Sequence, residues 1–313
     1  MSTTDFGHPD VIVVGAGNAA ACAAIAAREN GVSVIMLEAA PIEDCGGNSR
    51  YTAGLMRVVY NGVDDLAQLV PDLTEDEKKT HDYGSYTSEN YFDDMGRITQ
   101  YRTDPDLCEI LISRSFETLV WLRKKGVKFQ ASYGRQSYKV DGNRFKFWGG
   151  LAAETWGGGP GLVENEHKAC AREGIRILYE TPAVALLTDD DGRVIGVRAK
   201  HQGKNVEIGA KAVVLACGGF ESNTEMRTRY LGPGWDLAKV RGTRYNTGLG
   251  IKMAIEVGAL SYGHWSGCHA DGWDLNAPPF GDLTVGDNFQ KHSYPWGIMV
   301  NARGERFVDE GAD

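Results

Sequence analysis

Residues 13–24 read VVGAGNAAACAA, so that Gly15-x-Gly17-x-x-Ala20 follows directly on the apolar run Val11–Val14. Such a run suits a short, buried parallel strand. Residues 18–30 are alanine-rich and helix-forming, and Gly31 is a suitable stop. Residues 33–37 read as a second buried strand, which ends at Glu38. The order is strand, turn, helix, strand, with an acidic residue 21 positions beyond Gly17.

That order and spacing are what a dinucleotide needs. Gly15 permits the tight turn, Gly17 lets the backbone approach a pyrophosphate, and Ala20 lets the helix lie close to the strand. The helix start attracts negative charge. Glu38 stands where an acidic side chain meets a ribose hydroxyl. An ordinary helix start accounts for neither the spacing nor Glu38. Gly15, Ala16, Gly17, Asn18, Ala19 and Glu38 are therefore expected to contact a dinucleotide.

The chain has 313 residues, 42% apolar and 24% charged, enough for one large or two medium globular cores. Its 40 glycines cluster at Gly46-Gly47, Gly149-Gly150, 157–159 and Gly218-Gly219. Clustering of this kind points to tight turns or to backbone lying close to a ligand. A net charge of −9 without a strong basic run argues against nucleic-acid binding. It still allows a local pocket for an anion. Cys22, Cys45, Cys108, Cys170, Cys217 and Cys268 are widely spaced with no C-x-x-C pair, which suits reduced thiols in a cytoplasmic protein. No metal site is expected. The apolar run 19–27 has no basic region before it and reads as a helix of the fold, not a secretory leader. No apolar run approaches the roughly 20 residues of a membrane span.

After Glu38 the chain reads AAPIEDCGGNSRYTAGLM, a glycine pair followed by polar residues where a simple NAD enzyme would continue into another helix and strand. Here the sequence resembles the flavoproteins of the fumarate reductase and succinate dehydrogenase family, whose second glycine segment G-G-N-[ST]-x-x-x-A-G lies against FAD. Within that family the resemblance is greatest to the FAD-dependent tricarballylate dehydrogenases, through GGNSRYTAG, RGTRYNTG and YPWGIMVNARGERFVDEG. It runs along the whole chain. It implies FAD as cofactor and adds Gly46, Gly47, Asn48, Ser49, Thr52, Ala53 and Gly54 to the expected contacts. No histidine lies between Gly46 and Met56, so the histidyl link of the succinate dehydrogenase subunits is not expected in this loop and the FAD is expected to be non-covalent. The implied fold is a two-layer α/β, Rossmann-like FAD-binding domain with an antiparallel β-meander and an inserted capping domain. Residues 1–255 would form the FAD-binding domain, with a helical insertion at about 57–160, and 256–313 the start of the cap.

Residues 104–125 carry Leu107, Ile110, Leu111, Phe116, Leu119, Val120 and Leu122, an amphipathic, core-facing helix ended by Gly126. Short strand-like runs follow at 175–179, 183–187, 194–200, 206–208 and 212–216, with Asp189-Asp190-Asp191-Gly192 as a hairpin turn. Such a meander interrupts the parallel sheet of two-layer flavoproteins, and the resemblance places the Val184 backbone near the adenine. AVVLACGGFESN reads as a buried strand, a glycine pair and a helix with Ser222 as N-cap and Glu225 at N3. It resembles the family's VVLATGGF segment, which returns to the cofactor and adds Ala216 and Gly218. Cys217 fills a small-residue position and is expected to be buried and inert. In YNTGLGIKMAIEVGA the family more often has an aspartate where this chain has Leu249.

Beyond about residue 260 the chain becomes aromatic and loop-like, with Trp265, His269, Trp273, His292 and Trp296. The family closes a cap over the redox face of the flavin at this point. SGCHADGW matches the segment with a substrate-carboxylate histidine, which makes His269 a candidate ligand. NFQKHSY stands where the fumarate reductases carry a threonine–glutamate pair, so Lys291 and His292 are further candidates, with Lys291 expected to be solvated. The reaction implied removes a hydride and a proton from adjacent carbons of a small polycarboxylate, with tricarballylate going to cis-aconitate as its specific form. An unidentified electron acceptor completes it. NARGERFVDEGAD resembles the run-up to the family's acid/base arginine, which falls beyond Asp313, so no catalytic residue is assigned and neither Arg303 nor Arg306 takes that role. The family's C-terminal glycine-rich segment would follow as well, and a fragment, a split gene product or a truncated gene model is expected. The alternatives are a related flavin desaturase of the 3-ketosteroid dehydrogenase kind, or a non-catalytic flavin-binding fragment.

Overall fold

The structure, a computed structural model, describes residues 6–286, 290–291 and 293–311. Apolar side chains make β1 (Val11–Val14) and β2 (Val34–Leu37), with α1 (Asn18–Glu29) between them. α1 ends at Asn30, and Gly31 takes the left-handed φ of 82° expected of a helix stop. A long excursion follows, opened by a 3-10 turn (Gly47–Tyr51), β3 (Tyr60–Asn61), α2 (Val63–Leu69), α3 (Glu75–Thr80) and β4 (Ser85–Tyr86). It continues through α4 (Ser88–Ile98), α5 (Pro105–Lys124), β5 (Phe129–Ala131), α6 (Tyr133–Gln136), β6 (Ser137–Asp141), β7 (Arg144–Phe147) and β8 (Ala153–Thr155). α7 (Gly158–Arg172) returns the chain to β9 (Arg176–Leu178). After β10 (Ala183–Thr188), β11 (Val194–His201) and β12 (Lys204–Gly209) comes β13 (Ala212–Leu215). α8 (Thr224–Leu231) and α9 (Leu249–Glu256) lead into a largely irregular stretch.

The central sheet is parallel in the order β13-β1-β2-β9, with Val11 opposite Ala212 on one side and Val34 on the other. Alternation along β1 splits the core. Val13 faces α1 and α7 among Ala20, Ala24, Ile25 and Cys170, while Ile12 and Val14 face the meander among Val197, Ala199 and Ile208. A third cluster fills the excursion, from Val58 through Ile112 to Phe147. The five strand-like runs separate accordingly. The outer two become β9 and β13 of the parallel sheet, and the inner three form the antiparallel meander β10-β11-β12. The Asp189 carboxylate accepts from the backbone N–H of Asp191 and Arg193, which closes the turn the sequence announces.

Two sequence expectations are corrected. In α5 the buried stripe is Cys108, Ile112, Ser115, Leu119 and Leu122, and Leu107, Ile110 and Leu111 face outward. Ile110 lies on the side away from the stripe, while Leu107 and Leu111 flank its edge and stay exposed. α8 is capped by Asn223, which accepts from Met226 N–H at 3.1 Å, and not by Ser222. Ser222 is engaged elsewhere: its hydroxyl donates to the Thr243 carbonyl, and its N–H donates to that of Asn246. Among the described residues no helix is long and apolar enough to cross a membrane.

Candidate functional site

The C-terminal ends of β1, β2 and β13 open onto one cavity of about 370 Å³. Gly15, Ala16, Gly17, Asn18, Ala19, Glu38, Gly46, Gly47, Asn48, Ser49, Ala216 and Gly218 all line it. The sheet assembles these distant stretches by placing β13 beside β1. Gly15 bonds through its N–H to the Leu37 carbonyl at 2.7 Å, which fixes the turn to β2. Its φ is 117°, and a Cβ there would lie 2.3 Å from the Ala216 carbonyl oxygen. Only glycine meets both conditions.

The second glycine loop docks on the start of α1. Asn18 N–H donates to Ser49 Oγ at 3.0 Å, and Asn48 Oδ1 accepts from Thr243 N–H at 2.9 Å. Thr52, Ala53 and Gly54 fall outside the cavity lining. The Thr52 carbonyl accepts from Gly159 N–H and the Gly54 carbonyl from Thr155 N–H, so these residues seat the loop on the end of β8 and the start of α7. Val184 is also outside the lining, although its neighbours Pro182 and Ala183 are in it.

Glu38 is buried at the far end and accepts from Ala40 N–H at 2.8 Å. Burial pushes its carboxyl above the usual range, against the opposing pull of the Ala40, Ala39 and Ala16 N–H groups. Cys217 is half-buried, donates to the Val14 carbonyl, and has its thiol pushed up to about 11 by burial. At neutral pH it stays a thiol. Tyr245, Asn246, Thr247, Gly250 and Met253 complete the wall. They belong to the RGTRYNTG and YNTGLGIKM runs, whose individual contacts the sequence does not reveal. His167 of α7 was not foreseen at all. Its Nε2 lies 2.8 Å from the Ala16 carbonyl, and burial lowers its pKa, so a neutral imidazole donates to the glycine turn. No local signal announces a contact between residues 151 positions apart.

The substrate candidates lie elsewhere. The His269 side chain is 86% exposed and stands 3.5 Å from Asp271, while Lys291 pairs with Asp274 at 3.2 Å. Lys291 N–H donates to the Gly272 carbonyl beside the Trp273–Gln290 bridge, and neither His269 nor Lys291 lines the cavity. His292 lies outside the described residues. Arg303 pairs with Glu305, and Arg306 with Glu310. Among the described residues no group of three metal-ligating side chains occurs.

A cradle of backbone N–H groups at a helix start, with glycines where side chains would intrude, suits a pyrophosphate. A buried carboxyl at the other end suits a ribose. A family model described as an FAD binding domain matches residues 10–313. The chain belongs to this FAD-binding family. FAD is its cofactor, and the cradle fits it. This FAD-binding chain is 29% identical over 310 residues to the probable fumarate reductase Ifc3 of Shewanella frigidimarina (strain NCIMB 400), covering 96% of the chain and 46% of that protein. It is 30% identical over 236 residues to a urocanate reductase of Eggerthella lenta, covering 73% and 34%. Among solved structures, the open conformation of a flavocytochrome c3 fumarate reductase matches with a TM-score of 0.64 and 29% identity, over 82% of this chain and 42% of that one. The chain spans about half the length of the curated relatives it matches first.

Proposed function

We propose that this FAD-binding chain belongs to an oxidoreductase acting on a carbon–carbon bond of a small carboxylate, with oxidation of tricarballylate to cis-aconitate as its specific form. The cavity carries the reading. The glycine turn, the start of α1, Glu38 and the second glycine loop surround one continuous space, as an extended dinucleotide with a redox ring requires. Relatives named for fumarate and urocanate support the carboxylate class. The tricarballylate form rests on GGNSRYTAG, RGTRYNTG and YPWGIMVNARGERFVDEG.

Bound FAD supplies hydride transfer at the carbon–carbon bond. In this reading the backbone N–H groups of Gly17 and Ala19 hold the pyrophosphate, in the turn that Gly15, Ala16 and Asn18 shape, and Glu38 accepts from the ribose. Gly46, Gly47, Asn48 and Ser49, seated by Thr52, Ala53 and Gly54, flank the ring end, while Val184, Ala216 and Gly218 border the nucleotide. Binding is non-covalent. Residues 1–255 serve the cofactor, with the insertion at about 57–160, and 256–313 begin a cap. His269, Lys291 and His292 are the candidates for a substrate carboxylate, and an electron acceptor of separate origin closes the cycle. The proton-transferring residue is unassigned among the described residues.

The test is a visible spectrum of the purified chain followed by anaerobic addition of tricarballylate. Bleaching of bound flavin is the expected result. Flavin that ignores tricarballylate but, once chemically reduced, is reoxidised by fumarate would replace the dehydrogenase reading with a reductase. A chain that binds no flavin would remove the site assignment.

A further inference from the structure

α7 carries a carboxyl that nothing above uses. Glu166 is 1% exposed on the seam between α1 and α7, and its Oε2 has no hydrogen-bond partner. Its other oxygen, Oε1, lies 3.9 Å from Cys22 Sγ, and that sulfur lies 3.5 Å from Asn18 Oδ1. Asn18 is the first residue of α1 and lines the dinucleotide cavity. A buried acid, a thiol and a cavity-lining amide therefore form one line.

We propose that Glu166, acting through Cys22, is a positioning residue for the Asn18 amide at the start of α1, and so for the phosphate end of the FAD site. The inference rests on the assignment of FAD to this cavity. A thiol has one proton, so Cys22 donates to either Asn18 or Glu166, not to both. When Glu166 carries a proton, its O–H donates to Sγ and the S–H is left for Asn18 Oδ1. The oxygen end of the amide is then fixed, and both N–H donors are free for a ligand in the cavity. When Glu166 is ionised, the thiol turns to the carboxylate, Asn18 Oδ1 loses its donor, and the amide can rotate. Burial supports the protonated form, pushing Glu166 up to about 8. The titratable groups facing it are Cys22 of α1 and Cys170 of its own helix, and Trp121 of α5 packs on the same seam. Both thiols are pushed up to about 12, so neither titrates before Glu166 does.

FAD affinity of the whole chain is read by quenching of flavin fluorescence from about pH 6 to about pH 9.5, with a melt of each apo variant alongside. Wild-type affinity is expected to fall as pH rises through about 8. Glu166→Gln, neutral at every pH and still a donor, is expected to bind like the wild type at pH 7 and to show no such fall. Cys22→Ala should weaken FAD about five-fold at pH 7, the effect of one modest hydrogen bond. Cys22→Ser should recover most of that loss. Adding Cys22→Ala to Asn18→Ala should cost nothing further, because the pair acts as one unit. A flat wild-type pH profile, or losses from Cys22→Ala and Asn18→Ala that simply add, would overturn the proposal. The conservative Cys22→Ser and Glu166→Gln keep it open to refutation should Cys22→Ala fold poorly. A wild-type chain unable to bind FAD would sink the cavity assignment and this inference together, whereas normal binding with unmoved variants would sink only this one.

Discussion

Gly15 shows how far single residues were readable. The motif names it, and the structure supplies the two physical reasons, a φ of 117° and the Ala216 carbonyl 2.3 Å from where a Cβ would stand. Gly15→Ala is expected to abolish FAD retention and to destabilise the chain by about 2–4 kcal/mol, measured by bound-flavin absorbance and urea unfolding. Glu38 was equally legible, because strand and turn fix its distance from Gly17. If Glu38 is the ribose acceptor proposed above, Glu38→Ala should weaken FAD while leaving the flavin spectrum of the bound fraction unchanged. Glu166 and His167 were not legible. A glutamate and a histidine on an amphipathic helix read as surface residues until the partner helix is in place. The sign of the Glu166 effect on stability follows from burial, which raises its folded-state pKa from 4.5 to about 8. Between those values the unfolded chain has lost the proton and the folded chain has kept it. Stability therefore falls as pH rises across that window, by up to about 1.4 kcal/mol per pH unit. Denaturation of Glu166→Gln should show a flatter profile over the same range.

At the level of elements, what local chemistry decides was visible. β1, α1 and β2 sit where the apolar runs and Gly31 place them, and the Asp189 turn closes where its aspartates and glycine announce it. Rotation and fine register were not visible. Seven apolar residues in α5 offered more than one face, and the side that meets the excursion core is set by Ile112, Leu119 and Leu122 together with what packs on them. Ser222 and Asn223 are both good caps on composition, and Ser222 is excluded only because its hydroxyl is already committed to Thr243. Asn223→Ala should lower stability by about 1 kcal/mol through loss of the cap, as read by chemical denaturation. Ser222→Ala should instead disturb the 243–246 wall of the cavity and be seen first in FAD affinity.

Across the whole molecule, exposed apolar side chains concentrate after α9. Leu260, Leu275, Trp296, Ile298 and Phe307 are each at least 64% exposed. An apolar fluorescent dye is expected to bind this chain, and the pair Trp296→Ser and Ile298→Ser should reduce that binding. Substituting Leu107 by serine on α5 should reduce it less. The sheet order has a different consequence, in time. β1 is flanked by β13, so β1 waits for a strand made about 200 residues later. At about 5–20 residues per second that wait lasts about 10–40 s. Throughout it, the glycine turn has no Ala216 carbonyl to close against and Asn18 has no completed pocket to face. Capture of the cofactor therefore waits for β13, although the motif that names it is made about 200 residues earlier.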